Sequence, residues 1–259
     1  MVLLHYGPVT VSRILLRLAA AGTLALSLPA SALVGARPDS RFSDRVAMVL
    51  MRGGGEAGFC SALVLDSRTL LTAAHCLKAP RDMAIFYRDA SGAPVIIPVA
   101  AGVAHPLYRA DAIKARVESI DAAVIRIARP LDPRFIAAGI AGDAELKVGE
   151  PVILSGYGVT RPGDWKSGGE LRSASLAVRA PLSTVLIWAA DPRGGAAGAC
   201  SGDSGAPIWS ADGTTALAIT AWAQAQHGRG CGGLTQGPLL APLGGWIAAE
   251  RAKLEREAP

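Results

Sequence analysis

Three short segments hold side chains that can move protons or attack a carbonyl. The first, Leu71-Thr72-Ala73-Ala74-His75-Cys76, ends an apolar run on an imidazole. Histidine titrates near neutrality and can take and return a proton during a reaction, although a packed structural histidine would look the same in isolation. The second is Ser119-Ile120-Asp121-Ala122-Ala123, an acid at the mouth of an apolar stretch. Alone, it reads equally well as a turn residue. The third is Cys200-Ser201-Gly202-Asp203-Ser204-Gly205-Ala206-Pro207. Glycines near Ser204 let backbone N–H groups come close to a bound carbonyl, as a nucleophile with oxyanion donors requires. The plainer alternative is a tight turn.

Positioning these segments falls to many short apolar runs separated by Gly, Pro, Asp and Ser: 46–51, 61–65, 69–72, 95–101, 122–127, 152–155, 171–178, 184–189, 206–209 and 217–222. Short strands at this spacing, without long amphipathic helices between them, predict an all-β barrel or sandwich rather than βαβ units. One helix is expected last, from Gly245 through Trp246, Ile247 and Leu254. The stretch 129–149, with two prolines and mixed charge, is the expected connection between two lobes.

Apolar residues make up 51% and charged ones 18% of the 259 residues, enough for a large core and against wholesale disorder. Residues 1–32 read as a secretory leader: Arg13 and Arg17 precede an apolar run, and Ala30-Ser31-Ala32 supplies the small residues before a cut. A mature chain of residues 33–259 is therefore expected, secreted or periplasmic, with no stable membrane association. Cleavage removes two arginines and no acids, so the net charge of +5 falls to +3. The basic residues are scattered, which argues against nucleic-acid binding. Four cysteines, Cys60, Cys76, Cys200 and Cys231, suggest disulfides in an exported chain, with three pairings possible. None sits in a C-x-x-C pair, and segment 88–98 holds Asp89 as its one acid, so neither a zinc nor a calcium site is expected.

The order His75, Asp121, Ser204 resembles the trypsin/chymotrypsin family of serine proteases, in an exported, bacterial-type form. Flanking segments fall in family order too: Phe59-Cys60-Ser61, His105-Pro106-Leu107-Tyr108, Ser155-Gly156-Tyr157-Gly158, Ala221-Trp222-Ala223 and the terminal Trp246-Ile247. The resemblance implies two six-stranded antiparallel β-barrels with a C-terminal α-helix, and the site in the cleft between them. His75 would be general base, Asp121 would orient it, Ser204 would attack, and the N–H groups of Gly202 and Ser204 would receive the oxyanion. It also implies disulfides Cys60–Cys76 and Cys200–Cys231, a protein or peptide substrate, and no cofactor.

Three further implications concern specificity and activation. The substrate pocket would be walled by Gly198, Ala223 and Gly237, with no acid at Gly198 to meet a basic side chain, so apolar residues are expected. Ala221 replaces a serine that commonly supports the triad acid, and 224–229 looks like an insertion at the pocket lip. Leu33-Val34-Gly35-Ala36 resembles a mature family amino terminus, whose amine would pair with Asp203. A competing expectation is a secreted binding protein that kept the fold without catalysis. An esterase of the α/β-hydrolase kind is disfavoured, because Ala206 stands where the last glycine of its Gly-x-Ser-x-Gly elbow belongs.

Overall fold

The computed structural model describes residues 36–142, 145–227 and 230–257. The expected leader and Leu33 lie outside those residues.

The first lobe is built from β2 (Val46–Gly53), β3 (Glu56–Val64), β4 (Thr69–Thr72), β5 (Met83–Arg88), β6 (Pro94–Ala104) and β7 (Ala123–Ile127), preceded by the short β1 (Arg37–Pro38). These six close into a barrel in the order β2-β3-β4-β7-β6-β5. Every pairing in it is antiparallel. Val49, Val64, Leu70, Ile85, Ile97, Ile125 and Ile127 fill the interior. Strand β5 was not among the runs read from sequence, yet it closes the barrel by joining β2 to β6. Its side chains alternate, with Met83, Ile85 and Tyr87 buried and Ala84, Phe86 and Arg88 more open, as a pleated strand requires. A register shift in β6 between Val99 and Ala101 gives the bend that a small barrel needs.

The second lobe departs from the expected closed six-stranded barrel. Its strands are β8 (Gly139–Ile140), β9 (Pro151–Gly156), β10 (Arg172–Val178), β11 (Leu186–Ala190), β12 (Pro207–Ser210), β13 (Thr215–Ile219), β14 (Trp222–Gln224) and β15 (Leu234–Pro238). They form one open path, β14-β15-β11-β10-β9-β12-β13-β8, with β1 added on β10 to make nine strands. The β8–β13 pair is parallel. Across the gap between β13 and β15, the bridge Ala218–Leu239 is the one isolated pairing among the described residues. The chemistry of the seam explains the open ladder. Segment 217–222 still runs beside 236–240, with the Leu240 N–H on the Leu217 carbonyl at 2.9 Å and the Ala221 N–H on the Gln236 carbonyl at 2.8 Å, but Pro238 has no N–H to donate and the Ile219 carbonyl oxygen lies 1.7 Å from where a Cβ on Gly237 would stand, so the ladder is interrupted there.

One apolar cluster belongs to both lobes. Leu63, Leu71 and Val124 of the barrel pack with Ile153, Trp209 and Ile219 of the second sheet. The terminal helix α1 (Gly244–Glu257) adds Ile247 and Leu254, seven residues apart on one face. On the same face, between them, Arg251 pairs with Asp66 at 2.8 Å. At the centre, Trp209 is fully buried and stacks on Phe42 with ring centroids 4.9 Å apart, and its Nε1–H donates to Ser155 Oγ at 2.7 Å. Trp209→Ala is expected to lower stability by about 3–5 kcal/mol, through lost burial and an unfilled cavity. Urea unfolding of the two proteins measures it.

Candidate active site

His75 follows β4 on a 3-10 turn, Ala74–Cys76, whose Cys76 is tied by a disulfide to Cys60 in β3. Buried Ala73, Ala74 and Cys76 anchor the turn and leave the imidazole partly open. Asp121 stands two residues before β7, and the Ala122 carbonyl accepts from the His105 N–H at 2.8 Å. Its carboxylate holds His75 twice: Oδ1 accepts the His75 backbone N–H at 2.9 Å, and Oδ2 lies 2.6 Å from Nδ1. That double contact fixes the ring and favours the tautomer with its proton on Nδ1, which leaves Nε2 free to accept. Nε2 is 2.8 Å from Ser204 Oγ.

Ser204 comes from the other lobe, on the turn between Cys200 and Ala206. Backbone bonds Asp203 N–H to Cys200 O (3.0 Å) and Ala206 N–H to Asp203 O (2.8 Å) coil that turn tightly. Gly202 and Gly205 adopt φ of +94° and +79°, which side chains disfavour. Space forbids a side chain as well: a Cβ on Gly205 would lie 2.2 Å from the Ser61 carbonyl oxygen and 2.3 Å from Thr72 Oγ1. The turn is stapled at its start by the Cys200–Cys231 disulfide.

Asp203 points away from solvent and is fully buried. Its Oδ1 accepts the Gly158 N–H at 2.8 Å and its Oδ2 the Cys200 N–H at 2.9 Å. Burial pushes its carboxyl up to about 7, against the lowering effect of those two N–H groups.

Gly198 and Ala223, two of the expected pocket residues, each adjoin a third residue, Thr235. Ala223 of β14 is paired directly with Thr235 of β15, so the two side chains share a face. Thr235 is fully buried and its Oγ1 accepts the Ala199 N–H at 2.9 Å. A Cβ added at Gly198 would meet the Gly232 carbonyl oxygen at 3.0 Å and Thr235 Oγ1 at 3.1 Å. Gly237 sits one pleat further on, against the backbone of Ile219 and Thr220. Thr235 and Gly232 were missed from sequence. The signal that finds Thr235 is strand register, which the sequence Leu234-Thr235-Gln236-Gly237-Pro238 hides by resembling a turn. Beside His75 and Asp121 opens a cleft of about 490 Å³, bordered by Tyr108, Leu186, Trp222 and Pro238. Cys60, His75 and Cys76 bring three potential ligand atoms within 4.8 Å of one another, but both sulfurs are spent in the disulfide and offer no thiolate to a metal.

Solved structures share this architecture. Mouse neuropsin, a serine protease, superposes with a TM-score of 0.66 at 21% identity, over 83% of this chain and 98% of its own. A scabies mite inactivated protease paralogue superposes with a TM-score of 0.66 at 23% identity, over 83% and 97%. The fold is thus chymotrypsin-like, with one closed barrel and a C-terminal helix. The trypsin family model matches residues 34–237, and the chain belongs to that family. A curated relative, kallikrein 1-related peptidase b1 of Mus musculus, is 26% identical over 169 residues, 58% of this chain and 64% of that protein. These relatives are animal proteins, and they lend no support to the bacterial-type expectation.

The buried Asp203 has a measurable consequence in the full chain. An acid whose folded pKa rises from 3.8 to about 7 binds its proton more tightly folded than unfolded. Stability from this group is therefore greatest below the unfolded value and falls as pH rises towards the folded one, by up to about 1.4 kcal/mol per pH unit. Urea unfolding of full-length wild type and Asp203→Asn across that window is expected to show the fall in wild type and a flatter profile in the variant.

Proposed function

We propose that this chain is an exported serine endopeptidase whose catalytic triad is His75, Asp121 and Ser204. The observation that carries it is the unbroken line from Asp121 Oδ2 to His75 Nδ1 at 2.6 Å and from His75 Nε2 to Ser204 Oγ at 2.8 Å. As Oγ attacks the carbonyl carbon of a peptide, Nε2 takes its proton, and Asp121 stabilises the imidazolium that forms. The N–H groups of Gly202 and Ser204 receive the negative charge on the carbonyl oxygen. Collapse returns the proton from His75 to the leaving amine and leaves an acyl-enzyme, which water hydrolyses by the same route.

The pocket residues support a preference for small or medium apolar side chains. Ala223 and Thr235 narrow the pocket from one face, and Gly198 offers no carboxylate at its floor, so a lysine or arginine would be buried without a partner. Export fits the two disulfides, which belong to oxidising compartments. Residues 33–259 act as the peptidase unit, joined between its lobes near 129–149. Removal of residues 1–32 frees the Leu33 amine to pair with Asp203, whose buried carboxyl has a use for a cation there. A second reading is an inactive secreted binding protein, and the scabies mite paralogue is itself described as an inactivated protease.

A fluorophosphonate probe separates the two. An adduct mapped to Ser204 supports the peptidase; an unlabelled, folded protein supports the binding protein. Ser204→Ala and His75→Ala are each expected to cut peptide turnover by about 10⁴-fold or more with the fold intact. In a mixed peptide library, small apolar residues before the cut bond are expected to win over Lys and Arg by at least about tenfold. Thr235→Gly is expected to move that preference to larger apolar residues, and a dominant Lys or Arg preference in wild type would refute the pocket assignment.

A further inference from the structure

Ser61 lies in β3, in the first lobe, beside the Cys60 disulfide, and is fully buried. All of its polar groups are engaged with other segments. Its N–H donates to the Ser204 carbonyl at 2.8 Å. Its hydroxyl donates to the Gly202 carbonyl at 3.0 Å and accepts the Tyr157 N–H at 3.0 Å. Its own carbonyl accepts the Thr72 hydroxyl at 2.8 Å. A single first-lobe residue thus grips the backbone on either side of Asp203.

Those two carbonyls sit at the two glycine hinges of the turn. Gly202 and Gly205 both have positive φ and are the residues there with the most freedom to rotate. A bond to the Gly202 carbonyl fixes the Gly202–Asp203 peptide plane and so limits how far the hinge at Gly202, and the N–H that enters it, can turn. A bond to the Ser204 carbonyl fixes the peptide leading into Gly205. We infer that Ser61 is a positioning residue whose hydroxyl holds Gly202, and through it the oxyanion donors, in the orientation that receives a developing negative charge. The inference rests on the triad reading above. It adds a side chain that touches no substrate but sets the geometry of the groups that do. The backbone bond to Ser204 survives any substitution that keeps an N–H. The hydroxyl's share is therefore separable.

Loss of the hydroxyl leaves a buried acceptor on Gly202 and a buried donor on Tyr157 unpaired. The Gly202 carbonyl is then free to turn towards another donor. Ser61→Ala removes the hydroxyl and puts a methyl in its place; Ser61→Gly removes it and leaves room at the site. The mature protein and both variants are to be assayed for kcat and KM on one peptide amide, and for inhibition by a peptide aldehyde of the same sequence. Ser204 Oγ adds to the aldehyde carbon and its proton passes to His75, so the aldehyde oxygen takes the oxyanion position. The expected result is a fall in kcat of about 10–100-fold, smaller than or equal to that for removing an oxyanion donor outright. KM should stay within about threefold, and the aldehyde should weaken by the same factor as kcat.

Each other outcome counts against the inference. If wild type turns over and both variants keep its kcat and aldehyde affinity, the Ser61 inference falls and the triad reading stands. A rise in KM with kcat unchanged makes Ser61 part of ground-state binding and overturns the assignment. Failure of both variants to fold, read from thermal melting, makes Ser61 a structural residue and overturns it too. If wild type is neither labelled at Ser204 nor active, the triad reading fails and takes this one with it.

Discussion

The distance of 2.8 Å between His75 Nε2 and Ser204 Oγ joins atoms from two lobes that share no β-ladder. A hydrogen bond weakens over a few tenths of an ångström, so the lobes must be locked against each other with comparable tolerance. Two devices do this. The apolar cluster around Trp209 is common to the barrel, the open sheet and the terminal helix, and close packing of that kind resists sliding. At the seam itself, Ser61 and Thr72 of the barrel bond to one another and Ser61 to the serine turn, so the barrel wall and the turn move as one body.

The seam also buries polar groups completely. Ser61, Thr72 and Asp203 are closed off from solvent, and each has named partners. Low local polarity strengthens every satisfied hydrogen bond there and penalises every lost one. Such a network resists partial rearrangement. A tight turn with two positive-φ glycines would otherwise be a flexible segment, and here it is held from the first lobe, from Thr220 and from the Cys200–Cys231 disulfide. Asp203 is the exception with a titratable proton, held by two backbone N–H groups against a large desolvation cost.

The pocket and the seam share a theme. Where chains cross closely, one glycine and one small side chain decide what fits. Gly237 lets β15 pass the Ile219 carbonyl, and the register that follows puts Thr235 across from Ala223. A change of one residue in that register would turn Thr235 to the opposite face, and the pocket would be walled by Leu234 or Gln236 instead. The shape of this region is thereby tied to the open seam of the second lobe.

Local chemistry determined much of this in advance. His75, Asp121 and Ser204 stand in segments whose residue types announce themselves, and the apolar runs marked ten of the stretches that became strands or their edges. The terminal helix was legible from the spacing of Trp246, Ile247 and Leu254. By contrast, Met83–Arg88 and Leu234–Pro238 became strands because neighbours offered them ladders, and the second offers little strand propensity of its own. Closure is likewise a long-range property: the barrel closes because β5 reaches β2, and the second sheet stays open because Pro238 and Gly237 fall at its seam. A sequence carries side-chain chemistry and local periodicity, and these gave the candidate reacting groups and most of the strands. Register, closure and the approach of two lobes depend on contacts between residues far apart in the chain, so only the tertiary structure decided that Thr235 faces Ala223 and that Ser61 grips the serine turn.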